Sequence, residues 1–468
     1  MISEMITEQD LKSAVPDLTS TIHLKGLEGT VKVYRDSYGI PRIKAESELD
    51  AFFAQGFVTS QDRLWHMEYD RRRGSGRWAE AVGQQGVAQD TLMRKFRLEA
   101  SAKADYQVMD SHTKSVFDSY AAGVNAFIEN SGALPIEYRI TDLEPEPWLP
   151  WDGLIAYKVR HIFMGVFESK VWRARMVRDL GPKAAGRLFP GVEPGYLMIL
   201  PPGSTFPGPL DEGLKELAEG AAALNYLNEM DSGSNSWVLG GAETSTGRPI
   251  LAGDSHRALD TPNAYYQNQL ACHAFDVVGL SFPGVPGFPH FGHNGRVSWS
   301  VTHTAADYQD LYIEQFDKGK YLFKNKWLEP ETYDETIKVK GGSDIRTAVT
   351  TTQHGPVISG DPAKGFGLAF KYTATEKAST WPKILWKMLR ADGSKELVDT
   401  MREWVDPCNN LLFADINGDM GYLCRGRIPI RSKVNGWLPV PGWTGEHEWE
   451  GDIPFEELPI SINPPEGY

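Results

Sequence analysis

A chain of 468 residues, 41% hydrophobic and 24% charged, has the makeup of an ordinary globular protein and is long enough for two or three packed units. Its 62 acidic against 48 basic residues leave a net charge of −14, which argues against nucleic acid or an anionic membrane surface as the partner. No run approaches the roughly 20 apolar residues that span a bilayer, and Cys272, Cys408 and Cys424 have neither disulfide-framework nor CxxC spacing.

The opening stretch, MISEMITEQDLKSAVPDLTS, has no basic start and no apolar core, so no signal peptide is predicted and the expected location is cytoplasmic. TVKVYRDSYGIPRIKA alternates apolar and polar residues about Tyr38-Gly39, as a hairpin does. From SELDAFFAQGF through RLWHMEYDRRRG, apolar residues recur at helical spacing, among them Ala51, Phe52, Ala54, Phe57, Leu64, Trp65 and Met67. Two further helical stretches are expected near 109–130 and 150–180, the second opened by Pro150 and Asp152. PPGSTFPGPLDEG and the acidic LKELAEGAAALNYLNEMDSG then read as a connector with little to bury.

After Ser234 the pattern turns to strands: SWVLGG, RPILAG, FDVVGLSF, RVSWSVT, DLYIEQF, ETIKVKG, IRTAVTTT, GFGLAFKY, LLFADI and MGYLCRG. Asn417-Gly418 is the best hairpin signal among them, and only 376–405 reads as helical. A helical first part and a strand-rich second part predict an α+β layered architecture.

The chemistry centres on DSGSNSWVLGG, where no Gly-x-Ser-x-Gly elbow is present. Alone, a serine ahead of a strand is most simply a turn residue. A Pro/Gly-rich connector ends here, however, and Gly233 permits unusual backbone angles at low steric cost. If the Gly233–Ser234 bond were cut, Ser234 would carry a hydroxyl nucleophile and its own α-amine. Such an amine titrates near pH 8, which suits a general base. A chain-terminal nucleophile of this kind needs no His-Asp partner.

The motifs YRDSYGIPRIKA, SQDRLWHMEYDRRRGSGRWAEAVG, SNSWVLGG, TGRPILAGDSH, FPGVPGFPHFGHNGRVSWSVTHTAADYQDLY, TTQHGPVI, FADINGDMGYLCRGRIPIR and LPVPGW occur in that order. From about residue 28 onward the chain resembles the penicillin acylase family of N-terminal nucleophile (Ntn) hydrolases. The resemblance implies a four-layer αββα sandwich with a helical first chain, and a proenzyme that cuts itself. Residues 1–27 would be an extension, 28–202 the first chain, 203–233 a removed spacer and 234–468 the second chain. Members of the family continue beyond the point matching Tyr468, so the C-terminal part of the second chain is expected to be missing. The mature protein would be a heterodimer of two chains from one precursor, acting on small molecules and not on nucleic acid or membrane.

Carried over by motif, cleavage falls between Gly233 and Ser234, and Ser234 is the nucleophile. The backbone N–H of His303 and the side-chain amide of Asn410 would form the oxyanion hole, each donor contributing roughly 3–4 kcal/mol. Arg431 would hold the geometry near Asn410, and His256 could contact the Ser234 hydroxyl or amine. Read without the family pattern, Asn410 is a turn residue, Arg431 a surface ion-pair partner and His256 a loop histidine. The resemblance also implies a structural Ca²⁺ bound by Asp307, Asp310 and the carbonyl of Gln309, which hard oxygen ligands suit. Glu168 is the nearest first-chain candidate for a further ligand, its register off by a residue or two. A zinc site built from His290, His293 and His303 is disfavoured, because HxxH on a strand and loop aims two rings poorly at one metal.

By position, His161, Met164, Gly165, Arg257 and Phe291 would wall the acyl pocket, with Gly165 opening space and His161 and Arg257 adding polarity. The expected activity is hydrolysis of an N-acylated small molecule, of β-lactam, acyl-homoserine lactone or lipopeptide type, through a serine acyl-enzyme. Two alternatives remain: an uncut relative that binds acyl ligands without catalysis, and a triad hydrolase with His256 or His354 as base.

Overall fold

The computed structural model describes residues 6–188, 233–257 and 261–468. Apart from Gly233, the expected spacer 203–233 lies outside the described residues, as does its acidic helix-like stretch.

The helical part is built around Glu48–Gly74, which begins where Ser47 Oγ accepts the Asp50 N–H at 3.0 Å. Acidic Glu48 and Asp50 occupy its first turn and Arg71, Arg72 and Arg73 its last, matching the helix dipole at both ends. The helix Ser111–Asn130 lies against it with almost no gap. A methyl at Gly56 would fall 2.1 Å from the Tyr120 carbonyl oxygen, and one at Gly123 1.8 Å from that of Phe53. Two glycines therefore set the contact distance. The RRRGSGR run is largely an ion network: Arg72 bonds Glu68 at 2.5 Å, Glu80 at 2.7 Å and Glu146 at 3.0 Å, while Arg71 bonds Glu68 and Asp152.

Two large sheets make the second part. One has nine strands in the spatial order Lys32–Arg35, Pro41–Lys44, Tyr266–Ala271, Asp276–Ser281, Phe291–His293, Val297–His303, Asn409–Asp415, Met420–Arg425 and Ile460–Ile462. Only Pro41–Lys44 and Tyr266–Ala271 run parallel. The first-part hairpin is thus an edge of the second-part sheet. The other sheet has Lys326–Leu328, Lys320–Phe323, Gln309–Asp317, Phe366–Tyr372, Gly355–Asp361, Ile345–Thr352 and Glu331–Ile337 in that order, with Val440–Pro441 beside Gln309–Asp317.

Strand alternation then assigns the faces. Val297, Trp299 and Val301, with Leu411, Phe413 and Leu423, bury against Phe52, Leu154, Tyr157, Trp381 and Leu385 of the helical layer. Ser300 and Ala414 face the other way, against the hairpin Gly233–Leu239/Ile250–His256. The α+β class is as predicted. Among the described residues the layers run helices, nine-stranded sheet and hairpin.

All ten expected strands are present. Strands Tyr266–Ala271, Lys320–Phe323, Lys326–Leu328 and Gly355–Asp361 were not anticipated, and neither were the helices Val87–Phe96 and Leu98–Val108. The region 376–405 is less helical than expected, broken into short turns from Trp381 to Glu403. Its apolar residues, Trp381, Ile384, Leu385, Met388, Leu389 and Leu397, cap the core. Packing serves them better than a continuous helix would.

Candidate active site

The hairpin carries Ser234 to the sheet. Gly233 pairs with His256, Ser234 with Ser255 and Asn235 with Asp254. One residue pair farther along, Ser236 Oγ meets Ser300 Oγ at 2.6 Å and donates to the Ala252 carbonyl at 2.9 Å. Gly253 permits this approach, since a methyl there would fall 2.5 Å from Ser300 Cβ. Val238 completes the seam against Ala414 and Met420.

At the head of this seam the His303 N–H donates to Ser234 Oγ at 3.4 Å. Asn409 pairs with His303 and Asn410 with Thr302 across neighbouring strands, which sets the carboxamide beside that backbone group. The Asn410 Nδ2 donates to Thr302 Oγ1 at 2.9 Å and to the His303 carbonyl at 3.3 Å, while the Tyr422 hydroxyl donates to its Oδ1 at 2.8 Å. Tyr422 thereby fixes which end of the amide presents N–H groups. Ser234, His303 and Asn410, far apart in sequence, converge.

His256 lies on the other side of the junction. Its Nε2 is 2.9 Å from Asp254 Oδ2 and 3.3 Å from Asn235 Nδ2, and a methyl on Gly233 would fall 3.2 Å from its Nδ1. Of the two contacts considered, with the Ser234 hydroxyl or its amine, the one with the hydroxyl is not formed in the uncut chain: strand pairing sets His256 opposite Gly233, and the ring turns to Asp254 and Asn235.

Behind His303 is a cluster of buried rings. His161 stands 5.4 Å from His290 and 5.3 Å from Phe282, and Tyr265 OH is 3.3 Å from His290 Nδ1. Phe291 packs on Tyr265 at 5.5 Å, and the Arg257 guanidinium lies 5.9 Å from the Tyr265 ring centre. Burial, reinforced by the positive charge of Arg257, pushes His161 well below the ordinary histidine value. Burial does the same to His290, reinforced by His161, Arg425 and Arg257, and lowers His303, where Arg257 also contributes. All three imidazoles are held neutral. Both ring nitrogens of His161 and the Nε2 of His290 are buried without a hydrogen-bond partner, and such groups ordinarily find one.

Two pocket expectations need correction. Gly165 does not open space, since a methyl there would fall 1.9 Å from Gln309 Oε1. That amide donates to the Ile162 carbonyl at 2.7 Å and accepts from the Phe167 N–H at 3.5 Å. Gly165 is small because Gln309 is already there. Met164, at the end of the short turn Ile162–Met164, bears on the site through its backbone, which lies near the His303 ring.

Arg431 is also placed differently from expectation. Its Nε bonds Asp310 Oδ2 and its Nη2 bonds Asp307 Oδ2, both at 2.8 Å. The buried Asp310 and the half-buried Asp307 hold the guanidinium, and no hydrogen bond joins it to Asn410. The helix residue that reaches the same pair is Lys170, two positions beyond Glu168. Its Nζ lies 2.9 Å from Asp307 Oδ1, 2.5 Å from the Gln309 carbonyl and 2.6 Å from Asp310 Oδ1. Burial raises the Asp310 carboxyl, but Lys170 and Arg431 outweigh it and the net shift is downward. With an ammonium at their focus, Asp307, Gln309 and Asp310 do not fit a Ca²⁺ ion, which needs some six to eight oxygens about 2.4 Å away. Among the described residues no group of three or more His, Cys, Asp or Glu is arranged to hold a metal.

The histidines of the zinc alternative do not converge either: His290 is buried, whereas His293 is exposed and accepts the Gly295 N–H at 3.4 Å. His354 lies in the other sheet, stacked on Tyr312 with ring centres 4.1 Å apart and bracketed by Glu314 and Glu448 at 2.7 Å each. Sequence reasoning missed Thr302, Tyr422, Ser236, Ser300 and Lys170. Strand alternation from Asn410 and His303 could have found the first two.

Fold and site together define the class, an Ntn-type α+β protein with a serine heading a strand before a backbone N–H and a carboxamide. The penicillin amidase family model matches residues 30–468, and the chain belongs to that family. It is 40% identical over 465 residues to penicillin acylase 2 proenzyme of Pseudomonas sp. strain SE83, covering 98% of this chain and 60% of that protein. Identity to the acyl-homoserine lactone acylase QuiP of Pseudomonas fluorescens strain Pf0-1 is 30% over 474 residues, covering 98% and 57%. A solved thermostable penicillin G acylase from Alcaligenes faecalis, in orthorhombic form, is 25% identical, with a TM-score of 0.43 over 50% of this chain and 42% of that one. The chain spans about three fifths of the length of the curated relatives it matches. No helix among the described residues is long and apolar enough to cross a membrane.

Proposed function

We propose that the protein is a self-processing amidohydrolase that releases an acyl group from an N-acylated small molecule through a Ser234 ester. The observation that carries this reading is the placement of the Ser234 hydroxyl under the His303 N–H, beside an Asn410 amide whose orientation Tyr422 fixes. In processing, Ser234 Oγ attacks the Gly233 carbonyl, the C–N bond breaks and the nitrogen takes up the hydroxyl proton. Water then cleaves the resulting ester, leaving Ser234 with a free α-amine. In turnover that amine accepts the hydroxyl proton as Oγ attacks the substrate amide, and the proton passes to the departing amine. Water releases the acid in the same way. At each tetrahedral stage the oxyanion takes hydrogen bonds from His303 N and from Asn410 Nδ2, whose longer bond, to the His303 carbonyl, gives way to it.

The family and the relatives named as a proenzyme and as acyl-homoserine lactone acylases support N-acyl amides as the substrate class. The ring cluster behind His303, with neutral His161 and His290 near Arg257, supports an acyl group more polar than phenylacetyl. Denaturing electrophoresis with N-terminal sequencing tests the reading: two chains are expected, the larger beginning Ser-Asn-Ser-Trp. Ser234→Ala should remain one chain and take no acyl label from an N-acyl substrate. An active, unbroken chain would overturn it, and a sharp preference for phenylacetyl amides would overturn the substrate assignment.

A further inference from the structure

We infer that the Lys170 ammonium is the resident cation of the Asp307/Asp310 site, so that this protein binds its first part to its second without calcium. An ammonium has three N–H donors, and Lys170 has three acceptors: Asp307 Oδ1, the Gln309 carbonyl and Asp310 Oδ1. Its side chain is fully buried, as is that of Asp310. The second carboxylate oxygens are taken too. Asp310 Oδ2 accepts from Arg431 Nε at 2.8 Å, Asn435 Nδ2 at 3.2 Å and Trp449 Nε1 at 2.6 Å, and Asp307 Oδ2 from Arg431 Nη2 at 2.8 Å.

Charge counts the same way. Two carboxylates contact one ammonium and one guanidinium, and the Arg173 guanidinium also acts on Asp307, so the site has no negative charge left uncompensated. A divalent ion added to it would leave two uncompensated positive charges in a buried place, where charge must be paired. Displacing Lys170 instead would strand its ammonium among Phe167, Val171 and Ala174, which are buried on the same helix. The ammonium thus crosses from the helix Phe167–Leu180 to the strand Gln309–Asp317, on opposite sides of the 233/234 junction. None of this depends on Ser234 being a nucleophile.

The test uses the full chain carrying Ser234→Ala, so that processing and its failure do not enter. Metal analysis after dialysis should find no stoichiometric calcium, and the unfolding temperature should be the same in EDTA and in millimolar CaCl₂. Retained calcium, or a melt that EDTA lowers, overturns the inference. In the same background Lys170→Ala removes the ammonium from the two carboxylates. Its unfolding temperature should drop by about 5 °C, with or without calcium, and a variant as stable as its parent overturns the inference. If Lys170→Ala does not fold, Lys170→Gln is melted in the same way, with the same two outcomes.

Discussion

Gly165→Ala tests whether this glycine widens a pocket or accommodates Gln309. Its φ of −77° is open to any residue, so alanine adds no backbone strain, and a looser unfolded chain alone would favour alanine by about 0.4–1 kcal/mol. Sterically the substitution is blocked: the new methyl falls 1.9 Å from Oε1, 2.0 Å from Cδ and 2.5 Å from Nε2 of Gln309. To make room the buried amide must leave, losing its bonds to the Ile162 carbonyl and the Phe167 N–H. Two lost bonds at about 1 kcal/mol each, plus a buried carbonyl left unpaired at about 1–3 kcal/mol, less the gain from the unfolded chain, give a net loss of about 2–5 kcal/mol. Urea unfolding of the full chain measures it. In a Gln309→Ala background the obstructing atoms are gone, and adding Gly165→Ala should cost less than about 1 kcal/mol, so that the two substitutions are coupled. Equal costs in the two backgrounds, or a single variant as stable as wild type, would refute the packing argument. An acyl preference altered by Gly165→Ala without loss of stability would restore the pocket reading.

Asn410→Ala should slow processing and turnover by about 10²–10³-fold through loss of one oxyanion donor, while Asn410→Asp, which keeps the shape and loses the N–H, should be no better; single-turnover acylation checks both. Arg72→Met leaves Glu68 short of one of its two guanidinium partners, and should lower unfolding stability by about 3–5 kcal/mol in urea titration. His354 is raised above 6.5: burial opposes its charge, but Glu314 and Glu448 outweigh burial. Its contribution is therefore full below pH 6.5 and is lost as pH rises through the folded value, while Glu448, lowered from 4.5, loses its contribution as pH falls through its own folded value. Stability measured against pH should decline on the alkaline side, and His354→Gln should flatten that limb.

The strands of the second part were legible because a half-buried sheet writes its two faces into alternate residues, as in RVSWSVT and LLFADI. Tyr266–Ala271 was not legible: its inward positions include Asn268, which is buried against Gln55 and Ser281, so polarity hid the alternation. The helical look of 376–405 came from apolar spacing that in fact caps a core in several short turns. Ser234, His303 and Asn410 could be named from motifs, but what orients them could not, because Thr302 and Tyr422 act through cross-strand register. Arg431 and Lys170 went astray for a shared reason. The partner of a buried carboxylate is set by three-dimensional packing, and a motif match transfers a position without transferring its neighbours.

That packing bears on how a chain cut at 233/234 could hold its site. The backbone of the first part contributes a sheet edge, where Arg42, Ile43 and Lys44 pair with Gln269, Leu270 and Ala271. Its side chains contribute polar ties that end on the second part. Gln55 bonds Asn268 at 3.3 Å and the Gly287 N–H at 3.0 Å, Lys158 bonds the Ala374 carbonyl at 2.8 Å, and Arg94 bonds Glu335 at 2.9 Å. Several of these groups are buried on both sides, so separating the parts would expose or strand each of them at about 1–3 kcal/mol for a neutral group and more for a charged one. The helical layer also covers the apolar face of the strands that bear His303 and Asn410. A break in the backbone beside Ser234 therefore removes one covalent link from an interface already closed by sheet pairing, a shared core and the Lys170 tripod. A cut at the junction would free an α-amine and leave His303 and Asn410 in place, since among the described residues strand pairing and the shared core, not the junction, position them.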